Sequence, residues 1–355
     1  MEIRQIMRDI KQGKIAPVYV LYGTEQYMMD ELVRLIEGKA LDEASRDFNY
    51  STYDLRETPI QLALQDAETF PLMGEKRVVR ASHAVFLTGA KPPSGVPEHD
   101  LDALTAYISN PPDYSVLILE VAQDKLDERK KVVKALKKDS IVVECAPLKE
   151  AALVEWVIRQ AKRYNVVMEP AAAELLIMMS GTQLRQLDKE IEKMAVYAGE
   201  DGEITEQTVE ALATRELEHD IFRLIDKIAR LQIEDAVRMY YDLQRLNVGS
   251  SETKGEGEPL KILTLLARHF RILLQVKALQ PHGYSPQQMA SMLGIHPYAA
   301  KLANEQARAF SEKALKGILH RLAEEDVRIK TGQIDKVFAL ELFILGLKDM
   351  MHPTP

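Results

Sequence analysis

Several functional classes are excluded by what this chain has little of. One of its 355 residues is cysteine, Cys145, so no disulfide can form within it, and a reducing cytoplasmic setting is expected. Its eight histidines are scattered and show no H-x-x-x-H or HExxH spacing. With a single thiol, a zinc site is not expected, and no metal or other cofactor is. Positive charge is not in excess: 46 Lys and Arg against 54 Asp and Glu leave a net charge of −8. Tight, autonomous, nonspecific binding to nucleic acid needs a basic face, which this balance does not supply. Long apolar runs are missing as well. The most apolar stretch, "VFALELFILGLKDMM", is interrupted by Glu341 and is too short to span a bilayer, so it reads as a buried helix and no membrane partner is expected. The first residues, "MEIRQIMRDIKQGK", are too charged for a secretory signal; Ile3, Met7 and Ile10 fall at helical spacing instead. No fixed-period repeat and no acid–base pair or Ser/His/Asp constellation stands out.

What is present is ordinary for a folded chain: 46% apolar and 28% charged residues, with length for two or three cores. The first 146 residues alternate. β-rich runs occur at "VYVLY", "FNYSTYDL", "KRVVRAS", "YSVLILEV" and "SIVVECA", separated by helical patterns over 25–38, 59–68, 98–109 and 125–138. Such alternation predicts βαβ units around a mainly parallel sheet, with the near-continuously apolar "SVLILEV" as a central strand. The proline-rich "GAKPPSGVPEHD" (89–100) predicts a surface loop. From 147 onward the strand pattern stops. Helices are expected across 147–213, including one with Leu184, Leu187, Ile191, Met194 and Ala195 on a single face. Longer ones are expected over 217–231, 233–246, 259–280, 285–293, 296–309, 311–330 and 335–350, with a polar, glycine-rich loop at 247–259. The predicted architecture is an α/β domain at 1–146, a small helical domain at 147–213 and a larger helical domain at 214–355. Their net charges are −5, −5 and +2, so none is a basic clamp for DNA. The lysine-rich end of "DKLDERKKVVKALKK" reads as a solvated helix face.

The stretch "VYVLYGTEQYMMDEL" (18–32) has the strand, glycine turn and helix start on which phosphate-binding loops are built. A working loop reads G-x-x-x-x-G-K-S/T, with backbone N–H groups around the phosphates, Lys on the outer phosphates and the hydroxyl on magnesium. With Gly23 as the first glycine, the second falls on Met28, the Lys on Met29 and the hydroxyl on Asp30. Each fails: a side chain where the backbone must bend, no charge, and an anion facing a triphosphate. Glu25 adds a carboxylate that can satisfy the free N–H groups of the helix start itself. The strand ending at Glu120 carries one acid where a magnesium-holding strand carries two. These residues alone fit either a nucleotide fold that has lost its chemistry or an unrelated doubly wound domain.

The ordered set "PVYVLYGTEQYMMDELVRLI", "TFPLMGEKRVV", "YSVLILEVAQDKLDERKKVVKALKK" and "GTQLRQLDKEIEKMAVYAG" resembles the delta subunit of the bacterial DNA polymerase III clamp loader, over essentially the whole chain. The resemblance implies a RecA/AAA+-like parallel-sheet domain with a degenerate nucleotide site (Gly23, Met28, Met29, Asp30), a small helical lid and a helical collar. It implies a subunit that binds and opens the sliding clamp (beta) for loading onto primed DNA without hydrolysing ATP itself. The other loader subunits, gamma/tau and delta prime, would join through the collar, within a DNA-directed DNA polymerase holoenzyme. An AAA+-like ATPase with an unconventional loop is the alternative. The family's apolar wedge falls on "TFPLMGEKR": Leu72 and Met73 at its centre, with Phe70 and Pro71 beside them. The family often has an aromatic where Met73 stands. Phe70 and Leu72 have a local alternative, filling their own domain's core. The loader ATPases carry Ser-Arg-Cys where this chain has Val143-Glu144-Cys145, and a Glu cannot stabilise charge on a neighbour's phosphate.

Overall fold

The computed structural model describes residues 3–91, 94–148, 150–214, 217–246, 258–295 and 297–351. Two compact units result, Met1–Leu148 and Lys149–Pro355.

In the first unit a short amphipathic helix, α1 (Ile3–Lys11), precedes β1 (Val18–Tyr22), α2 (Gln26–Ala40), the single turn α3 (Arg46–Asn49) and β2 (Tyr50–Asp54). Then come α4 (Ile60–Ala67), β3 (Arg77–Ser82), α5 (Leu101–Ser109), β4 (Ser115–Val121), α6 (Lys131–Asp139) and β5 (Ile141–Glu144). The five strands form one parallel sheet in the order β2-β3-β4-β1-β5. β4 lies in the middle and is buried along its whole length, as its unbroken apolar run demands. One face packs Val18, Val20, Val79, Leu117 and Leu119 against α4, α5 and α6 through Ile60, Leu64, Leu104, Val133 and Leu136. The chain reverses its direction of travel across the sheet beside β1, and in open parallel sheets the crevice for a ligand lies at the carboxyl ends of the strands at such a point, here β1 and β4.

Two expectations for this unit need correction. "FNYSTYDL" is a strand only from Tyr50; Asp47, Phe48 and Asn49 belong to α3. The helix expected at 125–138 begins at Lys131, because Asp127 accepts the Arg129 N–H at 3.1 Å and its carbonyl accepts that of Lys130, turning the chain first. The proline-rich 89–100 forms neither helix nor strand at its described positions.

The second unit begins with α7 (Glu150–Arg163), β6 (Val167–Met168), α8 (Pro170–Ser180), α9 (Leu184–Ala198), β7 (Glu203–Ile204) and α10 (Glu206–Leu212). All five residues predicted on one face of α9 are buried. The strand pattern does not stop entirely, however: β6 and β7 pair in parallel. The helices α11 (Leu217–Ala229), α12 (Ile233–Leu246), α13 (Glu258–Leu279), α14 (Pro286–Leu293), α15 (Pro297–Gln306), α16 (Glu312–Lys330) and α17 (Lys336–Met351) follow. They share a core built on Leu224, Tyr240, Leu266, Phe270, Phe310, Ile318, Phe343 and Ile344. Most of the expected loop at 247–259 lies outside the described residues. α17 is not buried all round. Leu340, Phe343, Ile344 and Leu347 enter the core, whereas Phe338, Leu342 and Leu345 are exposed. Among the described residues no helix is long and apolar enough to cross a membrane, and no cluster of His, Cys, Asp and Glu could hold a metal.

Candidate functional site

Two places in the first unit bear on function: the turn after β1, and the loop between α4 and β3.

At the turn, Gly23 has φ +134°, and a Cβ built there would lie 2.1 Å from the Cys145 carbonyl oxygen. Only glycine lets β1 turn this close to the end of β5. Three N–H groups of the turn and helix start are already committed. Gly23 donates to the Val121 carbonyl at 3.1 Å and Glu25 to that of Cys145 at 2.9 Å. Tyr27 donates to the Glu25 carboxylate at 3.2 Å, so the helix start is capped by its own anion. Met28 and Met29 are buried. Asp30 faces Arg80 of β3, whose Nη2 lies 2.8 Å from Asp30 Oδ1 and 2.9 Å from Oε1 of Glu120. One guanidinium therefore bridges the acid at the hydroxyl position of the loop and the acid at the end of β4. Burial works against the Arg80 charge, but Glu120 and Asp30 outweigh it and keep the guanidinium protonated. Burial likewise raises the Glu120 carboxyl, with Arg80 opposing it. Arg80 was not singled out from the sequence; its partners are 40 and 50 residues away, and only the sheet brings them together. Cys145 is buried, and burial pushes its thiol up to about 12, so it is no nucleophile. Glu144 is exposed at the end of β5.

The α4–β3 loop has the opposite character. Phe70, Leu72 and Met73 are 76, 56 and 83% exposed, and Pro71 is half-buried. Phe70 does not fill the core; it stacks on Tyr114 with ring centroids 4.6 Å apart. Apolar side chains this exposed, adjacent on one loop, are surface that the unit's own core leaves uncovered. The loop's base is fixed on both sides. Arg77, mostly buried, pairs with Asp66 at the end of α4, and Lys76 donates to the Asp113 carbonyl. The Asn49 side chain accepts from the Leu72 N–H at 2.7 Å and donates to the Leu72 carbonyl at 2.8 Å. Met73 adopts φ +55°, a left-handed conformation uncommon for a residue with a side chain. Sequence reasoning missed Asn49; its position in an aromatic-rich run hid a helix-terminal amide.

Comparison with known proteins gives a consistent answer over both units. The family described as "DNA polymerase III, delta subunit" matches residues 19–146, and "DNA polymerase III delta subunit, C-terminal domain" matches 218–347. The chain is 40% identical over 342 residues to the DNA polymerase III subunit delta of Bacillus subtilis, covering 96% of each. It is 23% identical to a probable DNA polymerase III subunit delta of Aquifex aeolicus, covering 92% of this chain and 90% of the other. Among solved structures, the Bacillus subtilis DNA clamp loader delta protein superposes with a TM-score of 0.63 at 40% identity, covering 97% of this chain and 98% of that one.

Proposed function

The chain belongs to the delta-subunit family of the DNA polymerase III clamp loader, and from that premise we propose that it docks and opens the sliding clamp through the loop Phe70–Met73 without using ATP itself. The observation that carries the proposal is the exposure of Leu72 and Met73 on a loop whose main chain is held in place. Exposed apolar anchors on a fixed backbone enter a partner's pocket with little ordering cost, and the flexible thioether of Met73 suits an irregular one. Occupied N–H groups, two buried methionines and the Arg80 bridge support a cleft that accepts neither nucleotide nor magnesium.

The remaining assignments follow the same reading. Residues 147–213 act as a lid domain and 214–355 as a collar that joins gamma/tau and delta prime. The exposed Phe338, Leu342 and Leu345 of α17 are apolar surface of the kind a ring neighbour covers. Primed DNA is met only in the assembled cytoplasmic complex, since this chain is acidic overall.

The test is a pull-down of the purified sliding clamp without nucleotide. Wild type should retain it; Leu72→Ser with Met73→Ser should not, while keeping its melting temperature. An unchanged clamp affinity in that double variant would remove the site. Heat evolved on titrating ATP into the isolated chain would favour the alternative, an ATPase with an unconventional loop.

A further inference from the structure

The clamp reading makes Leu72 and Met73 the contact, and it leaves open what aims them. We infer that Asn49 is a positioning residue for the docking loop: its buried amide holds both main-chain groups of Leu72, so that the Leu72 and Met73 side chains project outward before any partner arrives. This inference rests on the clamp-docking reading above.

Asn49 closes α3 and is fully buried, yet two of its three side-chain hydrogen bonds serve a loop 23 residues away. Oδ1 accepts the Leu72 N–H at 2.7 Å. Nδ2 donates to the Leu72 carbonyl at 2.8 Å and to the Ser45 carbonyl at 3.1 Å. Paired donation and acceptance at one residue is what a neighbouring strand would provide, and here a side chain provides it. Two such bonds fix the orientation of both peptide planes at Leu72. With the main chain held this way the Leu72 side chain is kept in one direction, and it is 56% exposed.

The adjoining residues carry the same constraint. Met73 is held at φ +55°, a conformation that persists only where the surroundings impose it. At Gly74 a Cβ would come within 2.9 Å of Ser45 Oγ and 3.0 Å of Asn49 Nδ2, so the loop passes tightly over α3. α3 is itself fastened to α2 by the Arg46–Glu37 ion pair. Clamping, a left-handed residue and a glycine-only approach fall on three successive residues at the exposed tip. None of these devices adds apolar core; all of them restrict direction, which is the property that lowers the ordering cost of binding.

The experiment uses the full chain as wild type, Asn49→Ala and Asn49→Asp, with purified sliding clamp and no nucleotide. Asp keeps an acceptor for the Leu72 N–H but sets a carboxylate oxygen against the Leu72 carbonyl. Hydrogen exchange at the Leu72 amide, melting temperature and clamp affinity are measured together. Wild type should protect the Leu72 amide despite its exposed side chain. Asn49→Ala should release it, and both variants should weaken clamp binding on the order of tenfold, chiefly through slower association. A merely structural role would lower the melting temperature and leave the affinity of the folded fraction unchanged. A folded variant with a freely exchanging Leu72 amide and wild-type affinity would overturn the inference. So would an unprotected Leu72 amide in wild type. If neither Asn49 variant folds, Gly74→Ala pushes the loop off α3 with Asn49 in place. It should weaken clamp binding to a similar degree, and wild-type affinity in that variant, with its Leu72 amide exchanging freely, would equally overturn the inference. Failure of wild type itself to bind the clamp removes the docking reading instead, and is seen before any variant is compared.

Discussion

Replacing Arg80 with Ala tests what holds together the carboxyl ends of β3 and β4 and the start of α2. Arg80 is the shared cation for Asp30 and Glu120, and removing it leaves the Glu120 carboxylate, 4% exposed, with no counterion from β3. Deleting one partner of a wholly buried pair costs about 3–5 kcal/mol. The Arg80 side chain is 24% exposed, which admits some water, so about 2–3 kcal/mol is expected here. The second change, Glu120→Gln in the Arg80→Ala background, removes the stranded charge. It should restore at least about 1 kcal/mol, because the cost lies in an unpaired ion rather than in lost packing. Acidification should narrow the gap between Arg80→Ala and wild type, since a protonated Glu120 no longer needs the guanidinium. The assay is urea unfolding followed by far-UV circular dichroism. If Arg80→Ala and the double variant unfold at the same urea concentration, the bridge is not what holds this corner, and the account of it fails.

Three further outcomes are expected. Gly23→Ala should destabilise the first unit by more than about 2 kcal/mol, because its Cβ meets main chain at Cys145 and its φ is unfavourable for L residues; a melting temperature within a degree of wild type would contradict this. His269, buried against Phe222 and accepting or donating one bond with Gln306, has its pKa lowered by burial to about 4, from 6.5. Its folded pKa is depressed, so its contribution is present above pH 6.5 and is lost as the pH falls toward 4, by up to about 3 kcal/mol; His269→Gln should flatten urea stability over that window. Ser285→Ala breaks the capping box in which Ser285 and Gln288 exchange side-chain and main-chain bonds, and should cost about 1 kcal/mol by thermal unfolding of the second unit.

What the sequence revealed follows a physical line between local and distant determinants. β4 was legible because seven successive buried positions leave an unbroken apolar signature, and the face of α9 because helical spacing repeats. The departures of Met28, Met29 and Asp30 from the phosphate-loop pattern could also be read residue by residue. The exposed tip at Leu72 and Met73 came from family resemblance, and local pattern left Phe70 undecided; its stacking on Tyr114 depends on a residue 44 positions on. Arg80 and Asn49 were invisible for the same reason, since their roles exist only once β3 lies beside β4 and the tip crosses α3. The β6–β7 pair is two residues long on each side, too short for any periodicity. For α17, apolar composition indicated burial, but composition cannot distinguish a core face from one that lacks a neighbour within its own chain.

The turn after β1 also bears on reversibility. Restoring a phosphate loop one residue at a time meets an obstacle at each step. Met29→Lys sets an ammonium in a fully buried position. Asp30→Ser or Thr withdraws one of the two anions that hold Arg80. Freeing the N–H of Glu25 means parting β1 from the end of β5. Each intermediate is less stable than the present chain and gains no ligand until the others are in place. Acquiring a phosphate loop from the present chain would therefore cost stability at each of these single substitutions, because every position it needs is already held by burial, an ion pair or a main-chain bond.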